Sequence, residues 1–207
     1  MQLTVISDTH EQHEGIGPLS GEVLIHCGDM LNMFSYDDEA LDKLDAWFGE
    51  QDFDLVLCIG GNHDDDVEKR AGYGVPPLRN AHYLQDSSYV YKGVTFYGAP
   101  WVPELYGQAF FRDDDDLEDH WSGIPDDVDV LITHTPPAGV LDTNSRGRSL
   151  GCPMLMESIE RVEPKLHCFG HVHASSGTQQ VGATRFVNAA MVGSRYQLVG
   201  KPRVVNI

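Results

Sequence analysis

Short apolar runs, each ending in a residue able to bind a metal ion, constrain this chain more than any other feature. Ile6-Ser7-Asp8-Thr9-His10 comes first and Gly28-Asp29 second. Gly60-Gly61-Asn62-His63-Asp64, then Thr133-His134, then Gly170-His171-Val172-His173 follow. The runs before them are rich in Val, Ile, Leu and Phe. They read as strands at Leu3–Ile6, Val23–Cys27, Leu55–Ile59, Val128–Thr133 and Leu166–Phe169. Val94–Tyr97, Arg185–Asn188 and Val204–Ile207 read the same way. Most of these runs are continuous rather than alternating, which predicts cover on both faces. Leu41, Leu44, Trp47 and Phe48 predict a helix over Asp37–Glu50, with Asp37 and Asp38 at the positive end of its dipole. A second helix is predicted over Pro153–Val162, with Pro153 in its first turn and Leu155, Ile159 and Val162 on one face. The pattern is an α/β sheet with helices on its faces. At 207 residues it suits one domain, 1–207.

In open α/β sheets, ligands bind beyond the carboxyl ends of the strands. Asp8, His10, Asp29, Asn62, His134, His171 and His173 all fall there, as does His63. Nitrogen and oxygen donors without sulfur suit two hard or borderline divalent cations. Two such ions side by side point to phosphate-ester hydrolysis. Gly28, Gly60, Gly61 and Gly170 precede ligand-type residues, where glycine permits close backbone approach. One Asp-x-His or His-x-His alone is a weak signal, and a lone histidine is more often a packed or surface residue. The ordered set carries the argument.

Composition narrows the partners. The net charge of −18 repels polyanions, and no Lys/Arg cluster interrupts it, so extended nucleic acid is not expected as a partner. No stretch is long and apolar enough to span a membrane. Cys27, Cys58, Cys152 and Cys168 form no Cys-x-x-Cys pair and suit small buried residues rather than a disulfide framework. With the first strand starting at Leu3, a cytoplasmic location is expected. The run Asp113-Asp114-Asp115-Asp116 suits a solvated loop or a helix start better than a metal site.

The motifs resemble the calcineurin-like metallophosphoesterases, whose pattern runs Asp-x-His, Gly-Asp, Gly-Asn-His, His, Gly-His-x-His. The likeness extends to the subgroup that includes the metallophosphoesterase-domain (MPPED-type) proteins. Val23-Leu24-Ile25-His26-Cys27-Gly28-Asp29, Tyr97-Gly98-Ala99-Pro100-Trp101 and Ile132-Thr133-His134-Thr135-Pro136-Pro137 carry it. So do Ser145-Arg146-Gly147, Gly151-Cys152 and the segment from Pro164 to His171. The resemblance implies a four-layer α/β/β/α sandwich: two mixed sheets face to face, flanked by helices. It implies that Asp8, His10 and His173 hold one metal, that Asn62, His134 and His171 hold the other, and that Asp29 bridges them. Asp29 and Asn62 thereby take part in catalysis. His63 is the non-ligand histidine that assists the leaving alkoxide. Mn, Fe, Zn, Ni or Co would all accept this donor set. A metal-bridging hydroxide attacking phosphorus in line is the implied mechanism.

One departure stands out. In the phosphoprotein-phosphatase branch an acidic residue three positions after the bridging Asp orients the catalytic His, and here that position is Asn32. An amide accepts a hydrogen bond from imidazole but adds no charge. Arg146 is a candidate for a phosphate oxygen or a base, with Arg148 beside it, and His13 is a candidate at the site mouth. For both, a surface role competes. His26 and His167 lie within strands as core or supporting residues, and His82 and His120 read as surface. Aromatics from Trp101 to Trp121 suit core and lid packing or a wall of the site. Exposed aromatics around Trp101 and Tyr106 suit a lid or a homodimer contact. The function expected is hydrolysis of small phosphodiesters such as cyclic nucleotides. A phosphomonoesterase on the same site is the alternative, and a non-catalytic binding module is disfavoured because every expected ligand is present.

Overall fold

A computed structural model describes residues 1–33, 35, 37 and 39–207; Phe34, Tyr36 and Asp38 lie outside the described residues, and with Asp38 part of the expected helix start. The strands are β1 Gln2–Ile6, β2 Ser20–His26, β3 Asp52–Cys58, β4 His82–Tyr83, β5 Ser87–Tyr91 and β6 Val94–Ala99. They continue as β7 Val130–Thr133, β8 Leu166–Phe169, β9 Gly177–Val181, β10 Thr184–Asn188 and β11 Arg203–Asn206. The helices are α1 Ala40–Glu50, α2 Asp65–Gly72, α3 Asp114–Ser122 and α4 Pro153–Val162.

Two sheets form. One has the order β11-β1-β2-β3-β4, the other β5-β6-β7-β8-β10-β9. β1 to β4 run parallel, with β11 antiparallel at the edge. β6, β7, β8 and β10 run parallel, with β5 and β9 antiparallel at the two edges. Both sheets are therefore mixed.

The continuous apolar runs find cover on each face, because successive side chains point to opposite faces. Leu3, Val5, Val23, Ile25, Leu55, Leu57, Phe96, Val130, Ile132, Leu166, Cys168 and Val187 pack between the sheets in one cluster. Their alternates, among them Leu24, Val56, Tyr97, Leu131, Phe169 and Phe186, pack outward with Leu44 and Phe48 of α1 and Leu155 and Ile159 of α4. This is the expected four-layer α/β/β/α sandwich.

Three differences have physical causes. α1 begins at Ala40, not Asp37. The Asp37 carboxylate accepts the Glu39 N–H at 3.0 Å and its carbonyl accepts the Ala40 N–H at 3.0 Å, so it closes a turn ahead of the helix. β5 and β9 lack apolar runs because they are edge strands with exposed faces. α2 buries only Val67, too little to leave a periodic signal. The four aspartates start a helix: the Asp113 side chain caps α3 by accepting the Asp116 N–H at 3.1 Å.

Trp101 is buried, not exposed. It donates its indole N–H to Asp86 at 2.8 Å, with the Arg112 guanidinium 4.0 Å from its ring. Phe110 and Trp121 are buried too, and Tyr106 is exposed. His120 stacks on Trp101 and pairs with Asp86 at 2.9 Å, while His82 is exposed. All four cysteines are buried free thiols. No helix among the described residues is long and apolar enough to cross a membrane.

Candidate active site

The turns after β1, β2, β3, β7 and β8 converge at one rim, because parallel strands end on the same side. Three groups of possible metal-binding side chains lie there with their ligand atoms within 4.8 Å of one another: Asp8, His10 and His173; Asp29, His134 and His171; and His10, Asp29 and His63. The Asp29 carboxylate is common to the last two. Its Oδ1 lies 3.3 Å from His134 Nε2, and its Oδ2 lies 3.8 Å from His10 Nε2 and 3.9 Å from His63 Nε2. Each oxygen thus faces a different group, as a bridging ligand requires. Asp8 Oδ1 is 3.2 Å from His173 Nε2, and both Asp8 oxygens accept the His171 N–H at 3.0 and 3.1 Å.

The imidazoles are aimed by backbone carbonyls. His10 Nδ1 donates to Leu31 O at 3.1 Å and His134 Nδ1 donates to Cys27 O at 2.8 Å, which turns Nε2 of each ring toward the centre. Asn62 is aimed the same way. Its Nδ2 donates to Gln108 Oε1 at 2.8 Å, so Oδ1 faces His134 Nε2 at 3.0 Å. His10 Nε2 is buried and has no hydrogen-bond partner among the described residues. A buried nitrogen left open is costly unless something else satisfies it. That orphan, with the nitrogen and oxygen donors around it, fits a divalent cation.

The backbone is held unusually here. Asp8, His10, Asp29 and His171 have φ of +52°, +42°, +53° and +64°. Left-handed conformations outside glycine cost on the order of 1–3 kcal/mol each and gather at functional sites. Gly170 shows why close approach is needed, since a Cβ there would overlap Asp8 Oδ2 and Ser7 Oγ.

Charge follows from the packing. Burial works against ionisation of Asp29, but the His134, His63 and His10 rings hold its carboxyl well below the ordinary range. Burial likewise opposes the charge on Asp8, and His173 and His134 bring it down to about 2. Burial also opposes protonation of His134, yet Asp29 lifts it to about 9. Burial, with His134 nearby, lowers His171 to about 4. Two ionised carboxylates amid these rings make a ready cation site.

His63 sits at the cavity wall, with Nδ1 accepting the Met33 N–H at 3.0 Å. An acceptor at Nδ1 places the ring proton on Nε2, which faces Asp29. Asn32 does not orient this ring: its own N–H goes to Glu11 Oε1 at 3.1 Å, and the backbone of its neighbour does the work. His13 is buried against Trp47 of α1, ring centroids 5.6 Å apart, away from the rim. Arg146 is exposed, and Arg148 pairs with Glu104 at 2.7 Å; neither lines the cavity, though Asn144 and Ser145 do. His26 and His167 stand beneath the rim, their Nε2 atoms 2.9 Å from Thr9 Oγ1 and 2.8 Å from Thr133 Oγ1.

Two residues were not singled out by sequence. Asp64 is fully buried, accepts the Leu31 and Gly61 N–H groups at 2.9 Å each, and ties the two ligand-bearing turns together. Burial and then Asp29 push its carboxyl up to about 7. Its place directly after Gly-Asn-His was the available signal. Tyr196 stands over the rings of His10, His63 and His173 at centroid distances of 4.8, 6.0 and 5.3 Å, and no motif marks it.

Comparison with known proteins agrees with this geometry. Residues 1–175 match the family model for calcineurin-like phosphoesterase. Metallophosphoesterase domain-containing protein 1 of Homo sapiens is 34% identical over 228 residues, covering 98% of this chain and 69% of the human one. A UPF0046 protein of Caenorhabditis elegans is 36% identical over 222 residues, covering 100% and 75%. A solved crystal structure 17% identical in sequence superposes with a TM-score of 0.67, covering 99% of this chain and 98% of that one. GAP50, the anchor in the inner membrane complex of Plasmodium, shares the fold at a TM-score of 0.53 and 12% identity, covering 92% and 71%. The chain belongs to the calcineurin-like phosphoesterases, as a metal-dependent phosphoric ester hydrolase related to the metallophosphoesterase-domain proteins.

Proposed function

We propose that residues 1–207 act as one catalytic domain that hydrolyses small phosphodiesters, cyclic nucleotides among them. The observation that carries this reading is a pair of clefts meeting at His63 and Met33. One, of about 340 Å³, holds Asp29, Asn62, His171 and His173 with Leu105, Leu150 and Val172. The other, of about 270 Å³, runs past His63 toward Asn32, Asp65 and Lys69. A linear diester has two organic arms to place, and a cyclic diester fits the wider cleft. The wider cleft has no Lys or Arg in its described lining. A monoester dianion favours such cations, whereas a diester carries a single charge.

Asp8, His10 and His173 would hold one cation, Asn62, His134 and His171 the other, and Asp29 both. When bound, the pair supplies Lewis acidity toward phosphoryl oxygen and an activated water. Asp29 stays ionised throughout. His63, its Nε2–H fixed by the Met33 N–H at Nδ1, would donate a hydrogen bond to the departing alkoxide oxygen and stabilise the charge growing there. Leu105, Leu150 and Val172 shield the organic arm from water.

Manganese or iron is the metal reading adopted, since an N/O donor set without sulfur accepts either. Four free thiols suit a reducing compartment, here the cytoplasm. The charge of −18 and the lack of Lys or Arg in the described lining of the wider cleft argue against extended nucleic acid as substrate. A homodimer contact would fall at exposed Tyr106. The test compares mono- and diesters of one aryl alcohol, with cyclic nucleotides, on manganese-loaded protein. A kcat/KM at least tenfold higher for the diester is expected. A monoester preference overturns the reading in favour of a phosphomonoesterase.

A further inference from the structure

The turn that carries Tyr196 lies beyond the residues matched by the family model, which end at 175. It is nevertheless rooted in the site. The Met191 N–H donates to Ser7 O at 2.9 Å, next to Asp8, and Val192 bridges Leu198 across the turn. Within it, the Tyr196 N–H donates to Gly193 O at 2.8 Å and the Gly193 N–H to Gln197 O at 2.9 Å. Gln12 Nε2, two residues after His10, donates to Tyr196 O at 2.8 Å. Tyr196 has a φ of +58°, the same left-handed conformation as Asp8, His10, Asp29 and His171. Conformations of this kind persist in non-glycine residues where surrounding structure enforces them. Its ring lines the wider cleft and approaches a ligand of one metal group, the shared His10 and the non-ligand His63.

That cleft has a chemical need. Its described lining contains no Lys or Arg, so the phosphoryl oxygens turned away from the metals must find neutral donors. Gln108 is turned toward Asn62, whose Nδ2 donates to its Oε1 at 2.8 Å. Asn144 anchors the loop at 144–148 by accepting the Arg146 and Arg148 N–H groups at 2.9 and 3.1 Å. Asn144, Ser145 and Ser194 also line the cleft as neutral donors, and Tyr196 is the one among them whose ring stands against three histidines of the site. We propose that Tyr196 is a substrate-contacting residue whose phenol O–H donates to a non-bridging phosphoryl oxygen, taking the place a cationic clamp would fill. This rests on the phosphoryl group occupying the wider cleft, and it is independent of diester preference.

The test compares Tyr196→Phe and Tyr196→Ala with Tyr73→Phe, a control at an exposed tyrosine away from the rim. A hydrogen bond to a charged oxygen predicts a loss of about tenfold to a hundredfold in kcat/KM for Tyr196→Phe, with Tyr196→Ala little worse. Binding of inorganic phosphate to manganese-loaded protein, read by calorimetry, should weaken in the same variants, with metal content per chain unchanged. Wild-type phosphate affinity in Tyr196→Phe overturns the proposal. So does a phosphate loss that tracks loss of metal, because Tyr196 would then only support the ligands. If monoesters prove the better substrates, the diester reading fails while the phosphate measurement still decides the role of Tyr196.

Discussion

Two of the cavities among the described residues lie at opposite ends of the strands, and the larger of the two is chemically the poorer. A cavity of about 780 Å³ opens where β3 begins, between Phe53–Val56, the end of α1 and the segment from Gly74 to Tyr83. It exists because β4 is two residues long and pairs only with Leu57 and Cys58, so the first half of β3 has no neighbour on that side. Its ionisable side chains are Asp54, Arg79, His82 and Tyr83, and Asp54 is engaged by Lys92 and Tyr91 at 3.2 Å each. None of the three possible metal-binding groups lies there. The cleft at the carboxyl ends has less than half that volume and is lined by Asp29, Asn62, His171 and His173 together with His63. Volume at the amino end records a missing strand. Chemistry at the carboxyl end records five turns delivered to one rim.

Four substitutions put that contrast at risk. The largest effect is expected at Asp29→Asn, which leaves a ligand but removes the charge both metal groups share. Activity should fall by roughly a thousandfold or more, with fewer than two manganese ions retained per chain by elemental analysis. Normal metal content and turnover would break the assignment of the rim as the working end. Next, His63→Gln should lower kcat by roughly a hundredfold to a thousandfold and leave metal content intact, because the residue is held by the Met33 backbone and not by a metal. Metal loss in this variant would move His63 into the ligand set, which its distances to His10 and Asp29 allow.

His167→Gln sharpens the comparison from beneath the rim. Burial holds His167 at about 3, below the ordinary 6.5, so the unfolded chain takes up the proton first as pH falls. Its contribution is fully present above pH 6.5 and is lost as pH drops toward about 3, at about 1.4 kcal/mol per pH unit. Denaturant midpoints across this window should show a shallower acid slope in the variant. A slope equal to wild type would show that His167 is not what makes the fold acid-sensitive. The smallest effect is expected at Val75→Ala, on the exposed lip of the large cavity. Its kcat/KM should stay within about twofold of wild type; a tenfold change would make that cavity part of the reaction.

Much of the fold was legible because its inner strands are apolar on both faces, and α4 was read to the residue from Pro153, Leu155, Ile159 and Val162. Edges were not. β9 reads Gly-Thr-Gln-Gln-Val and is mostly exposed, so burial left no mark on its composition. His13 illustrates a second limit. Its nearness to His10 in sequence suggested the site, but a short helical turn over His13–Ile16 carries it under α1. Trp101, expected among exposed aromatics, is enclosed by Asp86, Arg112 and His120, which neighbouring segments of the chain fold back onto it.

Sequence alone marked the motif side chains that reach the rim, because parallel strands end on one side and the residue after each strand is written in order. Tertiary structure alone decided how they are aimed. Three of the rings are oriented by Leu31 O, Cys27 O and the Met33 N–H, and a backbone group carries no residue identity to read. It also decided that Tyr196, in a turn no motif announces, stands over the same histidines.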